Sequence, residues 1–128
     1  MNIKRRDCLK TKTTAVIKGE KWALEILTQK AFEKKHGTES RAMTVLDKRL
    51  IEFNAELSLG VLAHELLHAE VKYFHLESTT ALTPADFEEI LCCFMQYNLI
   101  KYHDSAIHLC VEFVGEERTK IMREELCK

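Results

Sequence analysis

The stretch "LSLGVLAHELLHAEVKYFHLE", residues 57–77, decides how this chain is read. It is rich in Leu, Ala and Glu, it is long enough for about five helical turns, and Ser58 stands where an N-cap belongs. On such a helix His64 and His68 lie one above the other on a single face. Two imidazole nitrogens at that spacing can reach one metal ion, and neutral imidazole suits zinc. Glu65 is turned by about 100° from His64, so it need not bind the ion. It can instead accept a proton from a water on the metal and hand it to a leaving amine. The spacing His-Glu-x-x-His on a helix is that of zinc-dependent peptide hydrolysis. The plainer alternative is a packed helix on which two histidines and a glutamate fall together by chance. The flanking "VLA" and "LLHA" weigh against it, because a charged glutamate among apolar neighbours needs a partner or a purpose.

Around that helix the composition is ordinary. The chain has 128 residues, 46% of them apolar and 30% charged, which suits one folded domain with one core. A net charge of -1 gives no general attraction to nucleic acid or to an anionic membrane, so neither is an expected partner. No run is long enough for a membrane span, and "MNIKRRDCLKTKTT" lacks the apolar core of a signal peptide. Five cysteines without CxxC spacing point to free thiols in a reducing compartment, and the expected location is the cytoplasm.

Residues 1–18 read as a basic N-terminal arm, and residues 19–128 as a single domain. From Glu20 to Lys35 the spacing of Trp22, Ala23, Ile26, Leu27 and Ala31 suggests an amphipathic helix that stops at His36-Gly37. "RAMTVLDKRLIEFN" reads as two short strands with a turn at Asp47-Lys48, Met43 with Val45 and Ile51 with Phe53 giving the period of two. Past the central helix, Thr83-Pro84-Ala85-Asp86 has the form of a helix start, and "ADFEEILCCFMQYNLIKYH" is apolar round most of its circumference. "SAIHLCVEFVG" fits a strand or a helix, and "EERTKIMREELCK" a short terminal helix. The expected fold class is α+β, a small sheet packed on the motif helix and its successor.

A zinc site for catalysis needs a third protein ligand and an open position. His75 shares the helix face but lies about 10 Å further along by helical rise. Glu77 and Asp86 suit the connection and the cap, while His103, Asp104 and His108 remain candidates further on. Glu88 and Glu89 fit best, since an acid in the first turns of a helix made of core residues is costly unless paired or metal-bound. Helical phase leaves both open. Tyr97, Tyr102, His103 and His108 could supply the donor that an oxyanion requires. The adjacent Cys92 and Cys93 read as core filler, because neighbouring positions on a helix point in different directions.

With "HELLHA" followed by an acidic helix, "DFEEILCCFMQYNL", residues 42–100 resemble the gluzincin class of zinc peptidases. More closely they resemble the small phage-encoded and bacterial zincin-like proteins related to the ImmA/IrrE group. The resemblance implies a zincin-like minimal domain, Zn2+ as cofactor, His64 and His68 as ligands and Glu65 as general base. It selects Glu89 as third ligand, because Ile90, Cys93 and Phe94 follow it at the family's apolar positions. The "AN" common after that glutamate is Ile90-Leu91 here. Two functions follow as expectations. One is a metallopeptidase cutting an intracellular protein or peptide. The other is a phage or mobile-element interaction protein on the same scaffold, its metal structural or vestigial. An edge strand from the 42–53 region beside the site would favour the first.

Overall fold

The computed structural model describes residues 2–74 and 104–126. Four strands form its main sheet: β2 (Lys12–Ile17), β3 (Glu20–Leu27), β4 (Ala42–Val45) and β5 (Leu50–Asn54), in the spatial order β2-β3-β5-β4. β2 and β3 make an antiparallel hairpin, β3 runs parallel to β5, and β4 returns antiparallel to β5. A second, two-stranded pairing joins β1 (Ile3–Lys4) to β6 (Glu56–Leu57). The helices are α1 (Gln29–His36), α2 (Leu59–Phe74), α3 over 104–114, and α4 (Glu116–Leu126). The class is α+β.

The helix expected from Glu20 to Lys35 is not what forms. Residues 20–27 are strand β3, and the helix is confined to Gln29–His36. Trp22, Leu24 and Ile26 are all buried, whereas Lys21 and Ala23 on the opposite face are exposed, a period of two. Helix-forming residues yield here because β3 is clamped between β2 and β5, where neighbouring strands satisfy both edges. The helix starts only after Thr28, whose hydroxyl accepts from the Ala31 amide at 3.2 Å. It stops where expected, at Gly37, whose φ of 86° suits a residue without a Cβ.

The basic arm expected over residues 1–18 is likewise part of the sheet system. β1 is tied to β6, the Arg5 amide donates to the Ala55 carbonyl at 2.8 Å, and the Arg5 guanidinium donates to the Ile26 carbonyl at 2.9 Å. "KTTAVI" supplies β2 with β-branched residues, and its hairpin to β3 closes through Lys18 and Gly19, both at positive φ. The two strands expected in 42–53 and their turn are present; the turn is a 3-10 helix at Leu46–Lys48. The ambiguous segment after Asp104 is helical, and the terminal helix forms.

One face of the sheet carries the core. Trp22, Leu24, Ile26, Ile51 and Phe53 meet Leu62, Leu66 and Ala69 of α2, and Leu109, Phe113 and Met122 of α3 and α4. Trp22, expected on the apolar stripe of a helix, anchors this sheet face instead and is fully buried. The other face is crossed by α1. There Glu52, only 2% exposed, accepts from Lys35 at 3.0 Å and contacts the His36 ring nitrogen at 2.8 Å. Burial alone would raise the Glu52 carboxyl, but the hydrogen bonds and charges of Lys35 and His36 outweigh it and hold the group below its ordinary value. A depressed carboxyl stabilises the fold above its unfolded pKa, about 4.3, and that contribution is lost as pH falls through the folded value. Glu52→Gln is expected to cost about 1–3 kcal/mol at pH 7. In urea unfolding the gap to the parent should narrow below about pH 4. Among the described residues no helix is long and apolar enough to cross a membrane.

Candidate metal centre

α2 begins as the sequence suggests. The Ser58 hydroxyl accepts from the Val61 amide at 3.1 Å, and Leu59, Leu62, Leu66 and Ala69 form the stripe that seats the helix on the core. That seating fixes which residues look outward. His64 and His68 are exposed, one turn apart, with their Nε2 atoms 3.0 Å apart and their rings 4.7 Å between centroids. Two nitrogens bound to one tetrahedral zinc at about 2.0–2.1 Å would stand roughly 3.3 Å apart, so the pair fits a shared ion with little movement. Candidate ligand atoms of His64, Glu65 and His68 lie within 4.8 Å of one another, the one such group among the described residues.

Glu65 differs from the two histidines in being buried, at 6% exposure. Its carboxylate is held by Thr44 of β4, whose hydroxyl donates to Oε2 and stands 3.2 Å from the Glu65 backbone carbonyl. This contact was not anticipated. Met43 and Val45 gave β4 its period, yet Ala42 and Thr44 are the residues opposite Phe53 and Ile51 and so share their side, towards α2. The pairing register carried the missing signal. A threonine between two strand-defining residues is the one whose hydroxyl reaches the helix.

β4 has no strand on its outer side among the described residues. Between that edge and α2 runs a groove of about 600 Å³, lined by residues 40–44 on one wall and by Val61, His64, Glu65 and His68 on the other. Asp104 and His108, two of the sequence candidates, are not on it. They border a different cavity, and His108 lies 3.7 Å from Glu112 on its own helix. Glu89 and Glu88, like His75, Glu77, Asp86, Cys92, Cys93, Tyr97, Tyr102 and His103, lie outside the described residues. Cys8 and Cys110 are free thiols, and burial raises both. Comparison of the chain with family models, curated proteins and solved structures finds no match.

Proposed function

We propose that the chain is a zinc-dependent peptide hydrolase of zincin-like construction, acting on a protein or peptide. The observation that carries this reading is the convergence of the His64 and His68 imidazoles beside the Glu65 carboxylate, facing a groove walled by an open strand edge. Zinc held by the two histidines, with Glu89 as the proposed third ligand, would polarise a scissile carbonyl and acidify the attacking water. The rest falls to the chain's own groups. Glu65 takes the proton from that water and returns it to the amine that leaves. Thr44 holds the carboxylate through one oxygen, beside a groove that Glu65 itself lines. The outer edge of β4 offers backbone amides and carbonyls to an extended peptide, and successive substrate side chains alternate between the groove and solvent.

The test is cleavage of a peptide library by zinc-loaded protein, beside Glu65→Gln. The variant is expected to keep its zinc and lose about 10²–10⁴-fold in kcat/KM. No cleavage by the zinc-loaded parent, or equal cleavage by the variant, would overturn the peptidase reading. Zinc retained without cleavage would point to the interaction protein.

A further inference from the structure

α2 carries a second acidic residue in a different setting. Glu70 lies two positions past His68, about 200° round the helix and so on the far side from the metal ligands. It is fully buried, and among the described residues neither carboxylate oxygen has a hydrogen-bond partner. The Lys18 ammonium, from the β2–β3 turn, stands 3.6 Å from Oε1, close enough to pair by charge and too far to donate a good hydrogen bond. Beside Glu70 opens a cavity of about 380 Å³, with Ile17, Leu66 and Leu109 among its walls and the exposed Asp104 and His108 on its border. A carboxylate that can accept about four hydrogen bonds, paired by charge with Lys18 but given no hydrogen bond among the described residues, therefore lines a space large enough for a small ligand.

We propose that this cavity binds an aliphatic ammonium group, its head on Glu70 and its stem along Ile17, Leu66 and Leu109. The acids exclude an anionic ligand. A hard divalent cation is a poor fit, since it asks for six or more oxygens and the described lining offers one buried carboxylate, the exposed Asp104 and the side-chain hydroxyls of Thr14 and Ser105. An ammonium brings three donors on an apolar stem and matches both parts of the wall. Such a group could arrive as a free alkylamine or as a lysine side chain of a polypeptide; the chemistry is shared. The site is independent of the zinc reading.

The experiment is a titration of the full chain with pentan-1-amine, followed by backbone amide shifts. Saturable shifts are expected at Ala15, Ile17, Leu66 and Leu109, with pentan-1-ol at least about tenfold weaker. Glu70→Gln should weaken pentan-1-amine by about tenfold or more. Ala15→Met, which fills the cavity from β2 without touching the carboxylate, should weaken it by at least about fivefold and guards against misfolding of the first variant. Blocked lysine, N-acetyl-lysine-N-methylamide, separates the sources: binding as tight as the amine assigns a polypeptide side chain, and weaker binding assigns a free amine. Equal binding of the alcohol, unchanged binding by either folded variant, or tighter binding of calcium at the same amides would overturn the proposal.

Discussion

Zinc affinity is expected to fall by about a hundredfold or more when His64 or His68 becomes alanine. Changing an outer hydrogen-bond partner of a metal ligand already costs about 10–100-fold, so removing a ligand should reach or exceed the top of that range. The two imidazoles are exposed and one turn apart on a helix whose opposite stripe is fixed in the core, so neither loss should disturb the fold. Competition against a chromophoric chelator would measure the affinities. Thermal unfolding gives a second reading: zinc at a hundred times its Kd should stabilise the parent by about 2.7 kcal/mol and the variants far less. Glu89→Ala should behave like the histidine variants, and Glu65→Gln like the parent. Equal affinity in His64→Ala and the parent would overturn the proposed metal centre, and with it the proposed peptidase.

Trp22→Ala should be among the most damaging substitutions in the chain, at about 3–5 kcal/mol. A typical domain has only about 5–15 kcal/mol in total, so the variant would be marginal. Trp22 is fully buried at the centre of the sheet's core face, with Leu24 and Ile26 beside it on β3. Leu24→Ala, at about 2–5 kcal/mol, is the sharper companion because a helical reading of this segment leaves Leu24 off the apolar stripe. Lys21→Ala, on the exposed face, should stay within about 0.5 kcal/mol. Urea midpoints at unchanged slope would measure all three. A mild Leu24→Ala would contradict the strand.

The contrast between β3 and α2 shows what local sequence can carry. In α2 the cap at Ser58, the stripe of Leu62, Leu66 and Ala69, and the His64–His68 spacing all agree, so the helix and the histidine pair were both legible. In "EKWALEIL" two periods coexist: Trp22 with Ile26 fits a helix, and Trp22, Leu24 and Ile26 fit a strand. What chose between them was the parallel partner β5, some 25 residues away, with Ile26 aligned to Phe53. No local window contains that neighbour. The N-terminal segment failed for a related reason. Its charges suggested a solvated arm, while its alternating Thr13, Ala15 and Ile17 were sheet residues waiting for β3. Thr44 and Glu70 were missed because their meaning lies in what faces them: the Glu65 carboxylate for one, Lys18 and a cavity wall for the other.

The edge of β4, unpaired among the described residues, also bears on how molecules of this chain treat one another. An open strand is a template on which any extended segment, including a neighbouring copy, can grow a sheet. Here the template spans only Ala42–Val45, with the exposed Arg41 before it and a 3-10 turn closing it at Leu46. Fibril-forming zippers use stacked segments of about six or seven residues. Four residues, bordered by charge and cut off by a turn, fall short of that length. On β4 alone, then, the template is too short to start such a zipper.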